Sequence, residues 1–189
     1  MTFLPIGDTL HGDIAGFIPT NLISMTDGQI YLNSSLFSEG FKPAIDLGLS
    51  VSRVGTKVQP PVMREWTKGL GLKYIQYREL LKTTKLRAAV SADIDNRLRR
   101  GSTIEMVFVQ PVNSPSPLSE QLIMFYALRK GILDDMPDYK CEQFKNNIYR
   151  IAKEKIPDVL EMLEKGRELS ALDRERLDEC VLGFFRGMT

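Results

Sequence analysis

The chain has 189 residues, 43% of them hydrophobic, and its 25 Lys and Arg against 24 Asp and Glu give a formal net charge of +1. Such a composition supports a packed core and argues against disorder. The near-zero charge argues against general nucleic-acid binding and against a polybasic membrane surface. Two cysteines, Cys141 and Cys180, and one histidine, His11, supply neither a disulfide framework nor a zinc set. No apolar run approaches the ~20 residues of a bilayer crossing.

Residues 1–58 read as strands and short connections. Phe3-Leu4-Pro5-Ile6-Gly7 is an apolar run ended by a breaker,. Asp27-Gly28 is a turn dipeptide, and Gln29 to Leu32 beyond it reads as a short strand. Pro43 precedes Ala44 to Ser52, whose small and branched residues suit a buried strand. These strands have little helix to cover them, and a sheet with bare faces and edges is not stable alone. The expectation is the C-terminal end of a larger α/β domain.

The period turns helical at Pro61. Val62 to Leu72 is helix-like but weakened by Gly69 and Gly71, and Lys73 to Lys85 is stronger, with Tyr74, Tyr77 and Leu81 at helical spacing. Ala88 to Arg100 is predicted as a helix closed by Gly101. Three prolines keep 110–117 out of helix. Ser119 then precedes a helix over Glu120 to Arg129 that ends near Gly131. Tyr139 to Lys155 follows, with Phe144, Ile148 and Ile151 on one face. Pro157 suits the first turn of the next helix, expected to stop at Gly166. Ser170-Ala171-Leu172-Asp173 is a capping-box pattern opening the last helix, where Leu177, Val181, Phe184 and Phe185 supply the buried face. The fold class is α/β plus all-α, with the first domain at residues 1–58 and an all-helical domain at 59–189.

Little in this chain carries chemistry alone. It contains no Gly-x-x-x-x-Gly-Lys-Ser/Thr loop and no Gly-x-Gly-x-x-Gly run,. Asp134-Asp135 reads as a solvated turn, Cys141 and Cys180 as small buried hydrophobes, and Trp66, Tyr74 and Tyr77 as core. No metal site is expected. One segment stands apart: Pro43-Ala44-Ile45-Asp46-x-x-x-Ser50-x-Ser52-Arg53 ends on two hydroxyls and a guanidinium. The planar fork of Arg53 suits two phosphate oxygens at once, as Lys does not. An arginine given in trans to a transferring phosphoryl group is worth about 10³–10⁵ in rate. The alternative is an ion pair at the start of a helix, and spacing alone favours it.

The run Phe17-Ile18-Pro19-Thr20-Asn21-Leu22-Ile23-Ser24-Met25-Thr26-Asp27-Gly28-Gln29-Ile30 closely resembles the Y-I-P-T-N-V-I-S-I-T-D-G-Q-I stretch of the F-type ATP synthase α subunit family. Gly48-Leu49-Ser50-Val51-Ser52-Arg53-Val54-Gly55 is similar to that family's G-L-S-V-S-R-V-G, and Ile75-Gln76-Tyr77-Arg78-Glu79-Leu80 to its A-Q-Y-R-E-L. Weaker similarity runs on to the last helix. The Ser-x-Ser-Arg signature is shared with β subunits and with flagellar and secretion ATPases; the Thr20-Asn21 and Thr26-Asp27-Gly28-Gln29 run is specific to α.

The resemblance implies that residues 1–58 end a RecA-like nucleotide-binding domain. It also implies that Arg53 is an arginine finger reaching the catalytic nucleotide of an adjacent β subunit, where it stabilises transition-state charge. Ser50 matches a position needed for activity and Ser24 a serine at the same interface; each positions the strand end, or serves only strand-edge packing and capping. A non-catalytic ATP or ADP site is implied at Lys42-Pro43 and Gln110-Pro111-Val112. There the family has Arg-Pro and Gln-Pro-Gln, and the amide lost at Val112 weakens selection for adenine. The family's F-G-S-D-L-D loop, which faces the rotor, is replaced by Leu86 to Ser91. The phosphate loop and the acid that holds Mg²⁺ precede residue 1 in the family.

The expected partners are an N-terminal fragment of α, the β subunit, the central-stalk γ subunit and the peripheral stalk. No nucleic acid is expected, and contact with the membrane comes only through the complex. Divergence from common bacterial and plastid versions, with no transit peptide, sets the expectation of a split mitochondrial subunit on the matrix face of the inner membrane. The competing reading from another class is a non-catalytic assembly module of the same complex.

Overall fold

Gly16 and Pro19 begin a helix in a stretch for which the sequence pattern names neither helix nor strand. In the computed structural model, which describes residues 3–84, 92–134 and 136–186, α1 spans Phe17–Met25, with Gly16 as an extended N-cap. Proline is tolerated in a first helical turn because the amides there have no intrahelical partner. A second short helix, α2, covers Ser34–Ser38. Its N-cap Asn33 accepts hydrogen bonds from the amides of Ser35 and Leu36, the usual role of a capping amide.

The expected strands shrink to two residue pairs. β1 is Gly28–Gln29 and β2 is Val51–Ser52, antiparallel, with Gly28 opposite Ser52 and Gln29 opposite Val51. An isolated bridge joins Leu32 to Ile45. The predicted buried strand over Ala44 to Ser52 is therefore corrected. The Asp46 carboxylate accepts from the amides of Gly48 (2.9 Å) and Leu49 (3.2 Å), folding the middle of the run into a turn, and Val51 is 52% exposed. An aspartate that bonds its own backbone two residues on competes directly with a sheet ladder.

The chain divides into two compact units, Met1–Val58 and Gln59–Thr189. Among the described residues of the first, the buried apolar side chains are Leu36, Phe41 and Ala44, whereas Phe3, Ile6, Leu10 and Phe17 stand largely in solvent.

The second unit is helical. α3 is Pro61–Thr67 and α4 is Leu70–Thr84. The break between them falls at Lys68-Gly69, where Gly69 takes a φ of +76°. α5 runs over Ala92–Phe108 and corrects the expected stop at Gly101; the predicted start at Ala88 lies outside the described residues. Gly101 is a mid-helix contact: a Cβ there would meet the Tyr77 ring at 2.0 Å. It lets α5 close on α4 and does not end a helix.

α6 is Leu118–Lys130, closed by Gly131 at a φ of +70°. Its start falls at Leu118, with Pro117 as N-cap, so Ser119 lies inside the first turn and its amide donates to Glu164 (2.9 Å). α7 is Asp138–Lys155, α8 is Pro157–Glu164 with proline in the first turn, and α9 is Ala171–Arg186. Gly166, at a φ of +64°, follows α8 as expected. The capping box opens α9, the Asp173 amide donating to Ser170 Oγ (3.2 Å) and the Ser170 amide to Asp173 (3.3 Å).

Trp66, Tyr74, Tyr77, Cys141 and Cys180 are all buried, as the pattern predicts. Burial pushes both thiols above their ordinary range. Phe144 stacks on Phe185 at 5.2 Å and meets the edge of Phe184 at 5.3 Å, which joins α7 to α9. Asp134 lies in the turn after α6 and meets Arg100 at 3.4 Å, while Asp135 and Leu86 to Ser91 lie outside the described residues.

Candidate functional site

In the first unit Arg53 reaches the end of α1, the helix that carries Ser24, whereas Ser50 lies before β2. α1 ends at Met25, so the carbonyls of its last turn need donor partners. The Thr26 hydroxyl lies 3.0 Å from the Leu22 carbonyl. The Arg53 guanidinium donates to the Ile23 carbonyl at 3.3 Å, a cation at the negative end of the helix. Arg53 is further pinned by its amide, which donates to the Asp27 carbonyl at 2.8 Å. The expected alternative, an ion pair at a helix start, is thus replaced by a contact at a helix end. The side chain is exposed, and most of its N–H donors have no acceptor among the described residues.

Ser24 sits one residue beyond Ile23 and is exposed; its hydroxyl donates to the Asn21 carbonyl of the same helix at 2.8 Å. Ser50 is half-buried and does more. Its hydroxyl donates to the Asp46 carbonyl at 2.6 Å and accepts the Tyr31 amide at 3.0 Å, joining the segment before β2 to the one after β1.

Asp46 stands in the Pro43-to-Arg53 segment, but the sequence pattern assigns it no role. Besides holding the Gly48–Leu49 turn, it accepts from Asn33 Nδ2 at 3.1 Å, and its amide donates to the Tyr31 carbonyl at 2.9 Å. Its position four residues before Ser50 was the available signal. Gly28 is required by proximity: a Cβ there would lie 2.3 Å from the Val51 carbonyl oxygen. The neighbouring Gln29 side chain donates to the Leu49 carbonyl at 3.2 Å. The Thr26-to-Gln29 run therefore builds the frame that presents Arg53.

The expected nucleotide-binding residues fall on both units. Lys42 and Pro43, joined by a cis peptide, are exposed in the first, with the Lys42 ammonium 4.8 Å from the Phe37 ring centroid. Gln110, Pro111 and Val112 are exposed in the second, just past α5. Lys145 fixes the start of that loop. Its ammonium donates to the Met106 carbonyl at 2.7 Å and also to the Val109 carbonyl, and burial lowers its pKa. No sequence signal singled it out. Gln110 carries a side-chain amide and Val112 carries none. Among the described residues no group of three or more His, Cys, Asp or Glu side chains converges to hold a metal ion.

Residues 59–184 match the family described as "ATP synthase alpha/beta chain, C terminal domain", and residues 1–52 match "ATP synthase alpha/beta family, nucleotide-binding domain". The chain is similar to "ATP synthase subunit alpha" of Petrotoga mobilis (strain DSM 10674 / SJ95), 36% identical over 184 residues that cover 97% of this chain and 36% of that protein. It thus spans little more than a third of the length of the curated relative it matches.

Proposed function

The chain belongs to the ATP synthase alpha/beta family, and from that premise we propose that it is a C-terminal portion of an F-type α subunit that lends Arg53 to the catalytic nucleotide of a neighbouring β subunit. The observation that carries this reading is the hold on Arg53. Its amide and one guanidinium nitrogen are tied to the turn after α1, while the rest of the fork faces solvent. A guanidinium fixed through one terminal nitrogen, with its remaining donors open, is preorganised to meet charge developing on a transferring phosphoryl group. Ser50 and Asp46 set the position of β2, and Ser24 lies beside the carbonyl that Arg53 grips.

In this reading residues 1–58 end a RecA-like nucleotide-binding domain and residues 59–189 form the C-terminal helical domain. Lys42, Pro43, Gln110, Pro111 and Val112 contribute to a second, non-catalytic ATP or ADP site whose phosphate loop and Mg²⁺ ligands lie outside this chain. The partners are the N-terminal part of α, the β and γ subunits and the peripheral stalk. The chain is a peripheral part of the complex on the matrix side of a mitochondrial inner membrane. No described helix is long and apolar enough to cross a membrane.

The test is ATP hydrolysis by the assembled complex carrying Arg53→Lys. Turnover falls by about 10³-fold or more while assembly survives; near-normal turnover refutes the assignment. The exposed apolar side chains of the first unit (Phe3, Ile6, Leu10 and Phe17) favour a second reading, an assembly module that catalysis does not need. A Gly-x-x-x-x-Gly-Lys-Thr polypeptide in the same purified complex supports the first reading, and a complex without one supports the second.

A further inference from the structure

Four cations from four stretches of the helical unit line one concavity. Lys68 follows α3, Lys73 lies in the first turn of α4, Arg100 in α5 and Arg129 in the last turn of α6, around a pocket of about 200 Å³. Its floor is apolar and rigid: Trp66, Ile104 and Leu128 line it and are at most 3% exposed. Gly69, at a φ of +76°, turns the chain between Lys68 and Lys73, which both line the pocket, a conformation glycine adopts at little cost.

No carboxylate lines the pocket. Asp134 pairs with Arg100 at 3.4 Å, and Glu65 lies 3.8 Å from Arg129. Glu65, however, already receives both guanidinium nitrogens of Arg174, at 3.1 and 3.0 Å. Lys68 and Lys73 have no acidic partner among the described residues. In a chain of net charge +1 this is a local excess of positive charge, and like charges gathered in a concavity repel each other and focus the field on its mouth. A bound multivalent anion relieves that repulsion.

Arg100 gives Nε to Asp134 and Arg129 gives Nη1 to the Glu65 carbonyl; the guanidinium donors that remain suit tetrahedral oxyanions, and the two ammonium groups supply mobile point charges. The volume lies below the ~300 Å³ at which clefts for drug-sized molecules begin, which restricts the occupant to a small ion. We propose that this pocket is a binding site for a small inorganic anion of the phosphate class, orthophosphate or pyrophosphate. The proposal does not involve Arg53, which belongs to the other unit, and it stands or falls independently of the arginine-finger reading.

Trp66 is the only tryptophan of the chain and forms part of the pocket floor, so it reports occupancy directly. Inorganic pyrophosphate is titrated into the full chain at constant ionic strength, with Trp66 emission and Tm recorded together. A saturable change in emission with a rise in Tm is expected, since a ligand that binds only the folded state stabilises it. The double variant K68Q/K73Q removes two exposed charges without touching the core and weakens binding at least about tenfold, with an unchanged circular dichroism spectrum. Lys153→Gln, exposed elsewhere on the helical unit, leaves the affinity unaltered. An unsaturable response, an equal response to sodium chloride, or equal affinity in K68Q/K73Q overturns the proposal.

Discussion

Arg53 and Ile23 form the contact on which the candidate site is built: a guanidinium nitrogen donates to the last-turn carbonyl of α1 at 3.3 Å, thirty residues upstream. The contact fixes one terminal nitrogen, Nη2, and leaves the other guanidinium donors open. It also makes the frame beneath Arg53 open to test apart from Arg53 itself.

Ser50 is the first part of that frame. Ser50→Ala leaves the Tyr31 amide without its side-chain acceptor and loosens the approach to β2. An unmade bond of this kind costs about 1–3 kcal/mol where water is excluded, less at a half-buried site. Hydrolysis by the assembled complex falls in kcat with little change in KM, and less than for Arg53→Lys. Ser50→Thr, which keeps the hydroxyl, restores most of the rate. Hydrogen exchange at the Tyr31 amide rises in the alanine variant and not in the threonine one.

Gly101 tests the helix packing. A methyl group built there would lie 2.0–2.5 Å from three Tyr77 side-chain carbons, too close for any real contact, and Tyr77 is 5% exposed with little room to retreat. Helix propensity alone makes Gly101→Ala stabilising by about 1 kcal/mol. Overpacking opposes this by about 1–3 kcal/mol and wins. Urea unfolding shows a lower midpoint for the variant; a raised midpoint would mean that α4 and α5 are not so tightly apposed.

Glu65 supplies a pH test. The hydrogen bonds from Arg174 hold its carboxyl below the usual carboxylate range, against a smaller opposing effect of burial. A carboxylate whose folded pKa is depressed contributes stability that is present above its unfolded pKa, about 4.3, and is lost as the pH falls through the folded value. Glu65→Gln is therefore less stable than the parent at pH 7, and the difference narrows as the pH falls below about 4. Glu65 is 38% exposed, so solvent screening keeps the effect modest. Chemical denaturation across pH 3 to 8 measures it.

The helical unit was legible in the sequence because its burial follows a 3.6-residue period: Phe144 and Ile148 recur on the buried face of α7, and Ser170 with Asp173 announces α9. Gly101 misled because glycine marks both a helix end and a close helix crossing, and only the distant Tyr77 decides between them. The first unit was less legible for a different reason. Phe17 to Met25 is rich in branched residues and contains a proline, yet it forms a helix with none of its residues buried, so no amphipathic period marks it. Asp46 broke the expected strand through a local turn that composition does not reveal. Arg53 stood out from its neighbouring hydroxyls, whereas the carbonyl it grips at Ile23 has no sequence signature.

The most direct measurement is a structure of the assembled complex with nucleotide bound to the neighbouring subunit. The account predicts the Arg53 guanidinium at about 2.7–3.2 Å from a terminal phosphate oxygen, with its amide still on Asp27. A guanidinium remote from every bound phosphate would contradict it.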